Sequence, residues 1–164
     1  MRETLFNVLT AGNPDALAGS RWADLYAGTG AVGIEALSRS AAHVCFVESS
    51  GAAANLIRQN LESLKIKGGF DLLQNDVQQV LRDLQGKGMQ FDYVFLDPPY
   101  RRESEYSNTL KLLGSSTLLL AQGVVIAEHS KKFESEETAG ELKRYRKLVQ
   151  GDAALSFYKL TTGE

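Results

Sequence analysis

Residues 24–33 are Asp24-Leu-Tyr-Ala-Gly-Thr-Gly-Ala-Val-Gly33, and they place a glycine-rich turn between a strand-like segment and a helical one. We predict a strand over Arg21–Tyr26 and, from apolar residues at helical spacing, a helix over Ala31–Ser40. A strand, a Gly-x-Gly-x-x-Gly turn and a helix, in this order, indicate one unit of a parallel sheet. Such sheets bind their ligands beyond the carboxyl ends of the strands.

The remainder of the chain continues this alternation of strands and helices. Further elements are predicted as helix Arg2–Leu9, strand His43–Val47, helix Gly51–Lys65, strand Phe70–Gln74, helix Val77–Leu84, strand Phe91–Leu96, helix Tyr106–Leu113, strand Gly123–Ala127, strand Arg144–Val149 and strand Ala154–Leu160. The pattern predicts an α/β fold in which helices cover both faces of a mostly parallel sheet. A turn at Gly151-Asp152 makes the last two strands a hairpin, so the final strand is antiparallel.

Length and composition are those of one globular domain spanning residues 1–164, with 43% hydrophobic and 23% charged residues. A net charge of −2 argues against binding of nucleic acid through bulk positive charge. Apolar runs are too short for a membrane span, and Met1–Phe6 lacks the pattern of a signal peptide. The single cysteine, Cys45, cannot form an internal disulfide. We therefore expect a cytoplasmic protein without a membrane or metal partner.

The glycine turn fits two classes of ligand. Glu48 follows Gly28 by 20 residues at the end of the next strand, where a ribose-binding acid belongs, as in nicotinamide-dependent dehydrogenases. Asp24 disfavours a dinucleotide, because its carboxylate would repel a pyrophosphate. S-adenosylmethionine has a sulfonium, an ammonium and a ribose but no phosphate. We predict that Asp24 faces its methionine end and that Glu48 accepts the ribose hydroxyls.

Two more parts of this cofactor site are predicted from strand ends and turns. Gly28 and Gly30 would let the backbone approach the ligand closely. Asp76, at the end of the third strand, would accept a hydrogen bond from the adenine amino group, and Val77 would line the adenine face. An alternative for Asp76 is that it only caps the following helix. The fifth strand ends at Glu128-His129, near the same edge of the sheet.

Asp97-Pro98-Pro99-Tyr100 follows the fourth strand directly and suggests the chemistry. A stiff turn that presents a carboxylate, free carbonyls and an aromatic ring is suited to gripping a flat group that carries an amino group. The Asp97 carboxylate and the Pro98 carbonyl can accept the two amino hydrogens and stabilise positive charge in the transition state. Tyr100 offers a ring for base stacking. The alternative is a rigid turn that only ends the strand.

The chain also resembles a known family through Arg2–Asn7, Asp24–Arg39, Asn75-Asp76, Asp97–Tyr100 and Gly151–Tyr158. These segments look like those of the bacterial 16S ribosomal RNA guanine-N2 methyltransferases, which are class I S-adenosylmethionine-dependent enzymes. The resemblance covers nearly the whole chain. It implies a Rossmann-like, seven-stranded sheet of order 3-2-1-4-5-7-6 and methyl transfer to N2 of a guanine.

The resemblance also implies further site residues and partners. Tyr26 and Ala27 join the cofactor-binding set, and Pro99 joins the catalytic turn. Arg2, Arg101 and Arg102 are the expected phosphate contacts. The expected partner is ribosomal RNA or a partly assembled small subunit, and the expected form is a monomer. Family members carry a basic segment before the first helix, which the chain lacks, and we expect weaker RNA binding without it.

Three other functions stay open at this point. The same acceptor pair would serve an adenine N6 in DNA or a protein glutamine, although a DNA enzyme generally needs an added region to read its base. A module that binds S-adenosylmethionine without activity is the second alternative. The third is the nicotinamide-dependent dehydrogenase, which NAD should stabilise against unfolding.

Overall fold

A computed structural model describes residues 1–99 and 102–161 of the chain. The helices are α1 Arg2–Leu9, α2 Ala31–Ser38, α3 Gly51–Ser63, α4 Val77–Gly86 and α5 Glu103–Gly114. The strands are β1 Arg21–Leu25, β2 His43–Val47, β3 Phe70–Leu73, β4 Phe91–Leu96, β5 Leu119–Ser130, β6 Thr138–Ala139, β7 Leu142–Gln150 and β8 Ala153–Leu160.

All these strands form one sheet of order β3-β2-β1-β4-β5-β8-β7-β6. β1 to β5 are parallel neighbours, and β8 pairs antiparallel with both β5 and β7. The α/β class, the strand order and the antiparallel closing strand are confirmed. The predicted number of seven strands is one too few in the described part of the chain, because β6 adds a short eighth strand beside β7.

The eighth strand escaped prediction because it has two residues, too few to show a period of two. Long-range packing positions it. The end of α5 lies so close to β6 that a β-carbon added to Gly114 would come within 1.9 Å of the Ala139 carbonyl oxygen. β5 is also longer than predicted, since its pairing with β4 begins at Leu119 and shifts register before Tyr93.

Alternation along the strands creates two cores, one on each face of the sheet. One face packs against α1, α2 and α3 and contains Trp22, Phe46, Phe95 and Ile126. The other face packs against α4 and α5 and contains Leu25, Val47, Leu96 and Ala127. Because both faces are covered, the central strands are mostly apolar.

Gly33 brings α2 close to the sheet. A β-carbon at this position would lie 2.3 Å from the Phe46 ring and 2.8 Å from Val44. We predict that Gly33→Ala lowers the free energy of unfolding by about 1–3 kcal/mol, because the overpacked helix must shift. At Gly86, near the end of α4, an added β-carbon would meet no atom within 4 Å. Gly86→Ala, the matched control, should therefore raise stability by about 0.4–1 kcal/mol in the same urea titration.

None of the helices formed by residues 1–99 and 102–161 is long and apolar enough to cross a membrane.

Candidate active site

Four carboxyl groups lie on the same face of the sheet, at the carboxyl ends of its parallel strands. Asp24 is in β1, Glu48 follows β2, Asp97 follows β4, and Glu128 is near the end of β5. Alternation places all four on the face that carries Phe46, Phe95 and Ile126. The sheet thus gathers at one edge acids that are far apart in sequence.

These acids line a cleft of about 390 Å³. Its walls come from the glycine loop, the beginning of α4, the turn after β4 and α5. Among residues 1–99 and 102–161, its ionisable side chains, apart from that of Tyr26, are those of Asp24, Glu48, Asp76, Asp97, Glu105, Glu128 and Arg102. Even with Asp24 protonated, the other carboxylates outnumber this guanidinium, and they make the cleft a poor place for a pyrophosphate because like charges repel. The charge balance disfavours a dinucleotide and suits a ligand that carries positive charge.

Asp24 is the most buried of these acids, with 2% of its surface exposed. Its Oδ2 accepts a hydrogen bond from the Gly33 amide at 3.0 Å. Burial raises the pKa of Asp24 to about 8, and the nearby carboxylates of Asp97 and Glu48 act in the same direction. The Gly33 amide opposes the shift but does not cancel it. At neutral pH the cleft therefore holds a largely neutral acid, which a bound cation would ionise.

Glu48 fixes the conformation of the glycine loop. Its Oε1 accepts a hydrogen bond from the Gly28 amide at 2.9 Å, and its Oε2 accepts one from the Ser50 amide at 2.9 Å. Gly28 and Gly30 have φ of 59° and 78°, in the left-handed region that suits glycine. Each carboxylate oxygen still has a second lone pair for a ligand hydroxyl. The Glu48 carboxylate thus fixes the glycine loop and also faces the cleft.

Tyr26 directly follows β1 and has an uncommon conformation for a bulky residue, with φ of 56°. Its hydroxyl donates to Glu105 Oε2 at 2.7 Å and lies 2.9 Å from Thr109 Oγ1. Gln78 donates to the same Thr109 oxygen at 2.9 Å. These bonds tie the beginning of the glycine loop to α5 and α4. These hydrogen bonds with α5 therefore help to keep the backbone of Tyr26 in its strained conformation.

Asp76 and Val77 reach the cleft at the beginning of α4. Asp76 is the N-cap of this helix, and its Oδ2 accepts a hydrogen bond from the Gln79 amide at 3.3 Å. The structure thus contains the helix cap that the alternative interpretation of Asp76 predicted. The residue also lines the cleft, and a role at the adenine amino group stays a prediction.

Asp97 separates the cleft from a second, larger cavity of about 640 Å³. Pro98 lines the second cavity and Pro99 the first, so the turn after β4 forms the wall between them. The second cavity also contains Glu128, Lys131 and Lys132, together with other residues of the β5 and β7 ends. Burial raises the pKa of Asp97 to about 7, and the neighbouring Glu128 carboxylate adds to the shift.

The predicted substrate contacts are distributed unevenly. Arg102 lines the cleft and directly precedes α5, without a capping hydrogen bond from its side chain. Arg2 lies on α1, with its side chain 54% exposed and its Nε 3.9 Å from Glu35 Oε1. Tyr100 and Arg101, the other predicted residues of this turn, lie outside the described residues.

Away from the cleft, the described part of the chain contains a cluster with the residue types of a metal site. His43, Cys45 and Asp71 are neighbours on β2 and β3. Asp71 Oδ2 lies 3.2 Å from His43 Nε2, whereas Cys45 Sγ lies 3.9 Å from Nδ1 on the other side of the ring. Burial raises the pKa of the Cys45 thiol to about 12, so the free thiol is protonated near neutral pH. Cys45 itself belongs to the buried core of the sheet.

Several cleft residues were not predicted as ligand-binding. Glu105 and Thr29 line the cleft, and Glu128 lines both cavities. Glu105 lies on α5, and the sequence pattern around it does not show that its side chain faces the cleft. Glu128 carried a signal, since it lies at the end of a predicted parallel strand, as Asp24, Glu48 and Asp97 do.

Comparisons with known proteins place this chain in a family. The family model described as "Conserved hypothetical protein 95" matches residues 1–159. YlbH of Bacillus subtilis (strain 168) is 33% identical over 97% of this chain and 84% of its own length. Ribosomal RNA small subunit methyltransferase D of Escherichia coli (strain K12) is 31% identical over 97% of this chain and 76% of its own length.

A solved structure gives the same result for the fold. A conserved hypothetical protein of Streptococcus pyogenes superimposes with a TM-score of 0.84 at 30% identity, over 96% of this chain and 94% of that chain. Sequence similarity and fold therefore agree over nearly the full length. The chain belongs to the family of the model "Conserved hypothetical protein 95", which includes ribosomal RNA small subunit methyltransferase D.

Proposed function

We propose that this protein transfers a methyl group from S-adenosylmethionine to the exocyclic N2 amino group of a guanine in small-subunit ribosomal RNA. The observation that carries the proposal is the position of Asp97 in the wall shared by two cavities. One cavity is acidic and adjoins the glycine loop, and the other is wide enough to admit a base. A relative that is named a small-subunit ribosomal RNA methyltransferase supports the class of reaction and of substrate, while guanine N2 is our own proposal.

The residues of the acidic cleft fit the cofactor. Asp24 would pair with the positively charged methionine end, since its raised pKa is that of a carboxyl group without a cationic partner. Glu48 would accept the ribose hydroxyls while it holds the Gly28 amide. The backbone of Tyr26, Ala27, Gly28 and Gly30 would run along the ligand, and Asp76 and Val77 would contact the adenine. When bound, the cofactor supplies a methyl group on a positively charged sulfur.

The turn after β4 would position the acceptor. The Asp97 carboxylate and the Pro98 carbonyl accept the two hydrogens of the amino group, which directs the nitrogen lone pair toward the cleft. The carbon–nitrogen bond forms as the carbon–sulfur bond breaks, and positive charge develops on the nitrogen. Asp97 stabilises this charge through preorganised electrostatics. The methylated nitrogen then loses one proton, which Asp97 or water takes up.

RNA would approach over the second cavity. Lys132 and Lys131 line it, and Lys131 Nζ lies 3.4 Å from Asp152 Oδ1. With Arg102 at the border of the cleft, phosphate groups would have cationic side chains near the base pocket. Tyr100 would stack on the base, and Arg2 and Arg101 would contact the backbone of the RNA. A base within a helix of the RNA must first leave its stack, which is easier in a partly assembled subunit than in a finished one.

The test uses the purified chain and tritium-labelled S-adenosylmethionine. Its substrates are naked small-subunit RNA and small subunits from cells in which the gene for this chain is deleted. We expect label in the RNA and, after digestion to nucleosides, N2-methylguanosine by mass spectrometry. N6-methyladenosine, or label in ribosomal protein, would contradict the assignment of the acceptor. Tight binding of S-adenosylhomocysteine without transfer to any of these substrates would instead indicate a binding module.

A further inference from the structure

We propose that Glu128 selects guanine by accepting a hydrogen bond from its N1–H, beside the amino group held by Asp97. This inference rests on the proposed function and extends it to the recognition of the base. It makes Glu128 a specificity-determining residue of the second cavity.

Strand register brings the two carboxyl groups together. β4 and β5 pair in parallel with Leu96 opposite Ala127, so the next residues, Asp97 and Glu128, are neighbours across the strands. Both point to the face that carries Phe95 and Ile126, because alternate residues of a strand share a face. Both also line the cleft and the second cavity. Two carboxyl groups are thus presented side by side where an acceptor base must lie.

The backbone of Glu128 is held rigidly. Its carbonyl oxygen accepts a hydrogen bond from the Tyr106 hydroxyl at 2.6 Å, and the residue pairs with Leu155 of β8. The next residue, His129, is buried and contacts the Ser156 hydroxyl through Nε2 at 2.8 Å. A side chain on such a strand has a more fixed position than one on a loop.

The carboxylates of this pair are available to a ligand. Among residues 1–99 and 102–161, no hydrogen bond or ion pair engages the side chain of Asp97 or that of Glu128. Burial raises the pKa of Glu128, as it does that of Asp97. Glu128 is half-buried and Asp97 is more exposed. A half-buried acid whose side chain has no hydrogen-bond partner is destabilising, and a ligand that donates a hydrogen bond to it would offset this.

Guanine has the matching pattern of donors. Its N1–H and N2 amino group are adjacent on the Watson–Crick edge, so Glu128 and Asp97 can each accept one bond. Adenine has a lone pair at N1 beside its amino group, and a carboxylate opposite that lone pair would be repelled. Reading of a displaced base through its Watson–Crick edge is the usual solution for enzymes that modify bases. The Glu128 carboxylate therefore accepts a hydrogen bond from guanine and repels adenine, so one group both favours the right base and rejects the wrong one.

The experiment combines a change in the protein with a change in the base. The substrate is the RNA in which transfer has been mapped, prepared by ligation with either guanine or 2-aminopurine at the target. 2-Aminopurine keeps the amino group but has no N1–H. With the unaltered protein, kcat/KM should fall about 100-fold from guanine to 2-aminopurine. With Glu128→Ala, the same change of base should cost less than about threefold, because the partner of N1–H is already absent.

Controls keep the result interpretable. Glu62→Ala removes an exposed glutamate on α3 and should keep the roughly 100-fold preference of the unaltered protein. Glu128→Gln preserves the shape of the side chain and serves if Glu128→Ala does not fold, with a preference expected between the other two. S-adenosylhomocysteine should bind Glu62→Ala with the affinity of the unaltered protein, and the comparison of two bases within each variant removes any effect of Glu128 on cofactor affinity.

The outcomes separate this inference from the proposed function. If the unaltered protein methylates guanine but the preference over 2-aminopurine is the same with and without Glu128, Glu128 does not read N1–H, and the proposed function stands. If the mapped nucleoside is N6-methyladenosine, both are wrong. If Glu128→Ala abolishes the preference for guanine over 2-aminopurine, the result supports both this inference and the proposed function.

Discussion

Asp97→Ala should lower the rate of methyl transfer about 1000-fold in single-turnover experiments with saturating RNA and cofactor. The reason is the loss of the acceptor that directs the amino group and stabilises the charge that develops on its nitrogen. The dissociation constant of S-adenosylhomocysteine should change less than about threefold, because Asp97 borders the cleft only at its junction with the second cavity. Filter binding of labelled RNA product and calorimetry measure the two quantities.

Two further variants test whether the effect of Asp97→Ala is specific and which role of the carboxylate is lost. Asp15→Ala removes an exposed aspartate before β1 and should leave both quantities unchanged. Asp97→Asn keeps a neutral acceptor, so we expect about tenfold more activity than with Asp97→Ala if acceptance of a hydrogen bond is the role. Equal rates for the two variants would indicate that Asp97 acts mainly by removing a proton. Turnover of Asp97→Ala at the rate of the unaltered protein would exclude any role in transfer.

Local sequence was sufficient for the elements with strong patterns. The bounds of Arg2–Leu9, His43–Val47 and Phe91–Leu96 were predicted to the residue, because apolar runs and turn residues delimit them. The long strand Leu119–Ser130 was predicted only at its apolar centre. Its exposed Gln122 and the glycine that follows do not resemble a strand, and pairing with β4 and β8 imposes the conformation.

The site could be predicted in part for a similar reason. Parallel strands end at one edge, so Asp24, Glu48 and Asp97 were expected to converge, and the structure brings them to one cleft. The contacts of Tyr26 with Glu105 could not be predicted, because they join residues 79 positions apart whose proximity depends on the packing of α5. The pairing of Asp97 with Glu128 likewise depends on a register that no local pattern specifies.

The affinity for S-adenosylhomocysteine should rise with pH, by about 20-fold between pH 6 and 7.5. Asp24 has a pKa of about 8 in the cleft without ligand, so below pH 8 its proton must leave when the ammonium of the ligand binds. The free energy needed to ionise Asp24 falls as the pH approaches 8, so the affinity for S-adenosylhomocysteine increases. At pH 7 binding should release about one proton, which appears in calorimetry as a dependence of the enthalpy on the buffer.

Asp24→Asn provides the matched control for this pH dependence. Asparagine imitates the protonated acid and keeps an oxygen for the Gly33 amide, so the fold should persist. Its affinity should vary less than about threefold over the same range and should equal that of the unaltered protein only at low pH. 5′-Methylthioadenosine, which lacks the amino acid part, should bind both proteins without pH dependence. A flat profile for the unaltered protein would mean that Asp24 does not meet the charged end of the ligand, and the cofactor would then lie in the cleft in another orientation.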